Sequence, residues 1–262
     1  MGKIFLESSL ESELKRGNKL FIPYIMAGDG GIDTLITTLK KLEEAGATAI
    51  EVGIPFSDPV ADGPTIQEAG KRALEKGTTL RRVFDVLTER REEIGIPLIF
   101  MTYINPIYKY GVERFFEDCK IAGVDGVIIP DLPLEHYDLV KQTSKEKEIA
   151  IIQLATLTSP LERVKDLASV TEGFLYAVTI NGITGTREGF AENISTHLNK
   201  LKNNSPVPVL AGFGISSPDH VRSMSESCDG VVVGSKIIDL IQQGSFDEIK
   251  ELIGASKGIL HL

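Results

Sequence analysis

The sequence predicts an α/β chain folded as a (β/α)8 TIM barrel with an N-terminal extra helix, and three observations carry that prediction. Eight short apolar runs, at 20–26, 47–52, 97–101, 126–129, 149–154, 174–178, 207–210 and 230–233, alternate with amphipathic segments. The runs are apolar along their length rather than at every second residue, as strands of a parallel sheet covered on both faces must be. Eight such units within 262 residues fill one barrel of ordinary size, so 1–262 is expected to form a single (β/α)8 barrel domain. An open doubly wound sheet with an appended domain is the competing arrangement; the lack of a GxGxxG at a first strand-to-helix turn weakens it.

Ahead of the first run, Ile4, Phe5, Leu6, Leu10 and Leu14 recur at helical spacing among charges, which predicts a helix from Ile4 to Lys15 covering one end of the core. Leu20 to Met26 is the first strand, stopped by Ala27-Gly28-Asp29-Gly30-Gly31, a loop able to take positive φ. Asp33 is read as the N-cap of a helix that runs through Glu44 and ends at Gly46. Amphipathic segments follow at 65–76, 80–93, 111–122, 135–145, 160–169, 188–202, 218–226 and from 237 onward. The active site of such a barrel is built from the loops at the carboxyl ends of its strands. Here those are 27–31, 53–64, 102–110, 130–134, 155–159, 179–189, 211–217 and Gly234-Ser235.

Composition removes several function classes. Lys and Arg number 28 against 37 Asp and Glu, a formal charge of -9, which disfavours nucleic acid and anionic membrane as partners. Cys119 and Cys228 stand far apart without ligand spacing, arguing for free thiols in a reducing compartment and against a metal site. No apolar run reaches about 18 residues and no basic-flanked apolar core opens the chain, so a cytoplasmic location is expected. His136, His197, His220 and His261 neighbour no candidate nucleophile and are read as structural or solvated.

The second strand and its loop, Glu51-Val52-Gly53-Ile54-Pro55-Phe56-Ser57-Asp58-Pro59-Val60-Ala61-Asp62-Gly63-Pro64, carry the densest chemistry. Strand alternation puts Ala49, Glu51 and Gly53 on one face and Ile50 and Val52 on the other. If the branched pair faces the helices, Glu51 points into the barrel near its mouth, where desolvation raises a carboxyl pKa and suits it to acid-base work. A glutamate satisfied by a backbone amide or a cation is the equal alternative on spacing alone. Asp62, like Asp58 and Asp131, lies in a turn whose chemistry explains an aspartate without function; beside Glu51 it gains a second proton-handling or hydrogen-bonding role.

Across the expected barrel, Gly212-Phe213-Gly214-Ile215-Ser216 and Gly234-Ser235 follow strands seven and eight and feed helix N-termini, the usual phosphate cradle of this architecture. The stretch from Asn181 to Gly189 reads as a lid with glycine hinges or as a long surface loop.

Taken together these blocks, with Pro23-Tyr24-Ile25-Met26-Ala27-Gly28, Tyr103, Asn105-Pro106-Ile107, Pro130-Asp131-Leu132-Pro133 and Gly182-Ile183-Thr184-Gly185, resemble the tryptophan synthase alpha chain family along nearly the whole chain. The resemblance implies retro-aldol cleavage of indole-3-glycerol phosphate to indole and glyceraldehyde 3-phosphate. Glu51 matches the family's acid-base group and Asp62 the aspartate that accepts the indole N–H. Thr184 matches the lid residue. Phe21, Tyr103, Tyr176 and Phe213 fall where the family lines its pocket, and Gly185, Gly214, Gly234 and Ser235 where it holds phosphate. The chain itself is expected to need no metal or cofactor.

The implied partner is a pyridoxal-phosphate-dependent beta chain in an alpha-beta-beta-alpha complex, with Pro55, Phe56, Ser57, Asp58, Pro59, Asn105 and Pro106 facing it. His136, Gly30 and Thr179-Ile180-Asn181 depart from the usual family residues, and none touches Glu51, Asp62 or Thr184. A self-sufficient lyase that releases free indole, and an idle alpha chain that only activates a beta chain, are the alternatives within the family.

Overall fold

Each apolar run becomes a strand: β1 (Leu20–Met26), β2 (Ile50–Gly53), β3 (Leu98–Met101), β4 (Gly126–Ile128), β5 (Ala150–Ile152), β6 (Leu154–Thr156), β7 (Leu175–Val178), β8 (Val209–Gly212) and β9 (Gly230–Val233). The computed structural model describes residues 1–156, 158–178, 187–212 and 214–258, with only the backbone of 187–193. All pairings are parallel, in the order β5-β4-β3-β2-β1-β9-β8-β7-β6.

The fifth run yields two strands because Gln153 leaves the ladder: its N–H donates to Thr171 Oγ1 at 2.9 Å while its carbonyl accepts from Tyr176 N–H. β5 pairs β4 and β6 pairs β7, so this one run joins the two ends of the sheet and closes the barrel.

The helices are α1 (Lys3–Lys15), α2 (Leu35–Glu44), α3 (Pro64–Glu75), α4 (Leu80–Arg90), α5 (Ile104–Tyr110), α6 (Val112–Ile121), α7 (Asp138–Lys147), α8 (Leu161–Val170), α9 (Arg187–Lys202), α10 (Pro218–Ser227), α11 (Ser235–Gln243) and α12 (Phe246–Gly254). One local expectation is corrected. Asp33 is no N-cap: it sits inside a three-residue 3-10 turn, Ile32–Thr34, and the α-helix starts only at Leu35 with no side-chain cap.

The third loop, read as 102–110, folds into α5 from Ile104 to Tyr110. Pro106 falls in its first turn, where a missing N–H breaks no helical hydrogen bond. The Asp131 carboxylate, one strand over, accepts the Ile104 N–H at 2.9 Å. That tertiary cap cannot be seen in local sequence.

Alternation sorts the strands into two layers. Ile50 and Val52 face the helices with Ile25, Phe100 and Val127, while Leu20, Ile22, Ala49, Ile99, Ile128, Ile152 and Leu210 fill the interior. Leu6 and Leu10 of α1 join the interior layer, so the extra helix closes the amino-terminal end as expected.

At that end Asp125, fully buried, accepts from Gly2 N–H at 2.5 Å, Leu98 N–H at 2.9 Å and the Arg91 guanidinium at 3.2 Å. Three donors offset the cost of burying the charge. This end is committed to structure, which leaves the carboxyl ends of the strands for chemistry.

Candidate active site

Glu51 is the second residue of β2 and pairs in register with Tyr24 of β1 and Ile99 of β3, pointing inward with Ala49. It is buried, 3% exposed, and its Oε2 has no hydrogen-bond partner among the described residues. Burial, with the Asp62 charge adding to it, pushes its pKa up to about 8. A carboxyl in this setting is protonated at neutral pH and remains able to give its proton up. Among the described residues no amide or cation is bonded to Oε2, which speaks against the satisfied-glutamate alternative.

Asp62 comes from the loop between β2 and α3. Pro64 at the first turn of α3, with Gly63 extended before it, stops the loop and fixes where Asp62 emerges. Gln67 Nε2 donates to the Asp62 carbonyl at 2.8 Å, and the Ala61 N–H donates to the Tyr103 hydroxyl at 3.0 Å. Half-buried, the Asp62 carboxyl is raised by desolvation to about 6, against a lowering by the Tyr103 hydroxyl, which hydrogen-bonds it. Tyr103, 2% exposed, is thus the post on which this loop leans.

Both carboxylates open into one cavity of about 380 Å³ at the carboxyl ends of the strands. Tyr24, Ile66, Met101, Tyr176 and Val232 supply its walls; Gly214, Ser216, Gly234 and Ser235 form the far end. Ser235 opens α11, whose first N–H groups and dipole favour an anion there. Gly214 takes a φ of 76°, which leaves its backbone free of a side chain beside that end. Lys236 also lines it, its ammonium 3.7 Å from Glu248, as does Asp239.

The structure brings part of the expected set together. Glu51, Asp62, Tyr176, Gly214, Gly234 and Ser235 meet in the cavity, and Tyr103 stands behind Asp62. Phe21 does not: alternation on β1 turns it outward, fully buried against the helices with Ile25 and Leu39. Its place is taken by Tyr24, which the register with Glu51 identifies and local apolarity concealed. Thr184, Gly185 and Phe213, with residues 181–186 of the stretch expected as a lid from Asn181 to Gly189, lie outside the described residues. Lys236 was hidden as an ordinary helix residue. His136 is exposed in a three-residue 3-10 turn, Leu134–His136; His220, exposed on α10, has its Nδ1 3.3 Å from the Oγ of Ser216, which lines the cavity; and His261 lies outside the described residues.

Beside the mouth, Pro55, Phe56, Ser57, Asn105 and Pro106 line a shallow groove of about 670 Å³ with Leu74 and Tyr110. Ser57, Asp58 and Asn105 are exposed and Pro59 and Pro106 half-buried. Phe56 is half-buried rather than exposed, because its ring lies on Tyr103 with centroids 5.3 Å apart. The bare apolar surface nearby comes from Val60 and Tyr108, 82% and 74% exposed.

Fold and site define a class: a (β/α)8 barrel whose mouth sets two carboxyls of raised pKa opposite an anion-accepting helix N-terminus. The sequence matches the profile of the tryptophan synthase alpha chain over residues 10–257. Tryptophan synthase alpha chains of Bacillus thuringiensis subsp. konkukian (strain 97-27) and Bacillus anthracis are each 52% identical over 248 residues, 95% of this chain and 96% of theirs.

Among solved structures, tryptophan synthase subunit alpha from Legionella pneumophila str. Paris superposes with a TM-score of 0.89 at 30% identity, covering 99% of this chain and 100% of that one. A chain of M. tuberculosis tryptophan synthase in an aminoacrylate- and BRD0059-bound form gives 0.87 at 28% identity, covering 96% and 97%. The chain belongs to the tryptophan synthase alpha chain family.

Proposed function

We propose that this chain cleaves indole-3-glycerol phosphate to indole and glyceraldehyde 3-phosphate, a carbon-carbon lyase reaction of retro-aldol type. The observation that carries the reading is the buried Glu51, its Oε2 unpaired among the described residues and its pKa pushed up to about 8, beside Asp62 in a cavity that ends at the N-terminus of α11. Glu51 as the acid delivers its proton to indole C3, which turns the ring into a leaving group able to hold the bonding pair. Asp62, ionised above about pH 6, accepts the indole N–H and stabilises the positive charge that forms on the ring. The Glu51 carboxylate then takes the proton of the glycerol hydroxyl on the breaking bond. That oxygen becomes the aldehyde carbonyl, the carbon-carbon pair returns to the ring, and Glu51 is restored. A placed acid-base group contributes about 10²–10⁴-fold.

The phosphate would sit on the backbone of Gly214, Gly234 and Ser235, with Gly185 and the lid residue Thr184 assigned by family likeness. Phe213 would complete the pocket on the same ground. Indole-sized apolar contact comes from Ile66, Met101, Tyr176 and Val232.

The family brings a beta chain as partner, to which pyridoxal phosphate belongs, in an alpha-beta-beta-alpha assembly. The groove at Phe56, Asn105 and Pro106 supports docking there, because the same Tyr103 that backs Phe56 also holds Ala61, next to Asp62. Pressure on the groove is thereby transmitted to the catalytic loop. Indole release from indole-3-glycerol phosphate, assayed with and without a beta chain, tests the reading. Low turnover alone that rises with the partner is expected; no cleavage under either condition overturns it.

A further inference from the structure

The Glu51 Oε2 is not the only buried polar atom left without a partner at this site. The Tyr24 hydroxyl is sealed from solvent, accepts and donates nothing among the described residues, and belongs to a side chain that lines the same cavity and is 4% exposed. Tyr24 and Glu51 are register partners on adjacent strands. The Tyr24 ring lies over Gly53, two residues beyond Glu51 on the same face of β2; a Cβ on Gly53 would come within 1.9 Å of the hydroxyl. A glycine at the end of β2 thus leaves room for a phenol beside the acid.

An unpaired buried donor and an unpaired buried acceptor, on two side chains that line one cavity from neighbouring strands, are each costly to bury. They are not hydrogen-bonded to each other. One ligand group satisfies both at once: an alcohol, which accepts from the phenol and, once Glu51 has given up its proton, donates to the carboxylate. Phenylalanine would fill the same volume and leave no such orphan.

Resting on the proposed reaction, we infer that Tyr24 is a catalytic residue whose hydroxyl donates to the glycerol oxygen on the breaking bond, the oxygen whose proton Glu51 removes. Its contribution grows along the reaction, since that oxygen gathers negative charge as its proton leaves and then becomes the aldehyde carbonyl. Desolvation first, and then the charges of Asp62 and Glu51, hold the phenol well above its ordinary pKa, so it stays a donor throughout. No proton is transferred from it.

The test uses the full chain with a beta chain, comparing wild type with Tyr24→Phe on two compounds: indole-3-glycerol phosphate and the analogue with an indol-3-yl propyl phosphate chain, which has no hydroxyl. The inference predicts a roughly tenfold lower kcat/KM for the substrate, the effect of one lost hydrogen bond to a partly charged oxygen. The inhibition constant of the hydroxyl-free analogue stays within about twofold, which shows the pocket intact. Unchanged kcat/KM, or an equal loss of affinity for the analogue, overturns the inference. Wild type that fails to cleave the substrate brings down the parent reaction and this inference with it, an outcome read from the control alone.

Discussion

The Tyr103 hydroxyl accepts the N–H of Ala61 at 3.0 Å and so fastens the loop after β2 to the start of α5. One buried phenol thereby connects the residue beside Asp62, the Asp62 carboxyl itself and, through its ring, Phe56 on the groove. Tyr103→Phe keeps the ring contact and removes the tether. Loss of that bond, worth about 1 kcal/mol, is expected to lower kcat/KM about fivefold to tenfold. It should also move the acid limb of the pH profile upward, because the Tyr103 hydroxyl lowers the Asp62 pKa. Steady-state kinetics across pH measure both, and an unshifted limb would show the tether to be purely structural.

The two carboxyls give the reaction a bell-shaped pH dependence. Asp62 must be ionised and is raised to about 6; Glu51 must be protonated and is raised to about 8. Activity should climb through the first value and fall through the second, with apparent values that belong to the pair. Asp62→Asn should remove the acid limb and move the alkaline one to lower pH, because the Asp62 charge helps to raise the Glu51 pKa. A profile flat through both values would exclude these assignments.

Stability should respond to pH in the same direction at both groups. Each folded pKa lies above its ordinary value, so the native chain keeps protons that the unfolded chain releases. The Glu51 contribution is fully present below 4.5 and lost as pH rises to about 8; Asp62 adds the same sign between 3.8 and about 6. Glu51→Gln removes the larger part. Urea midpoints measured between about pH 5 and about pH 8 should therefore decline less in the variant than in wild type.

The barrel is legible because continuous apolar runs admit few folds, and β2 because its alternation alone puts Glu51 inward. What stayed hidden depends on other elements. α5 is capped by Asp131 from the next loop, and Gln153 leaves its ladder for Thr171, neither of which leaves a local signature. Phe21 and Tyr24 illustrate the same limit within the site. Both are aromatic residues of one apolar strand, and only the register with Glu51 decides which of them reaches the cavity.

Close packing at the strand ends yields a mutation test. Gly53→Ala would drive a methyl to within 1.9 Å of the Tyr24 hydroxyl and 2.5 Å of its ring, and the buried ring has no room to withdraw. Overpacking of this kind costs about 1–3 kcal/mol. Thermal denaturation should record a lower midpoint in Gly53→Ala than in the Gly63→Ala control, where a Cβ meets nothing within 4 Å.

At the anion end, Ser235→Asp introduces a like charge at the first residue of α11. The KM for indole-3-glycerol phosphate should rise about tenfold or more, the scale of a like charge set against a partly desolvated phosphate. Turnover at saturation should change far less. An unaltered KM would move the phosphate elsewhere.

The central claim is that Glu51 is the acid that protonates the indole ring, and Glu51→Gln tests it most directly because glutamine keeps the shape and has no comparable proton to give. Indole release by this variant, measured with a beta chain present and the substrate saturating, should fall by about 10²-fold or more. Its affinity for the hydroxyl-free propyl analogue should persist. Turnover near the wild-type rate would contradict the account.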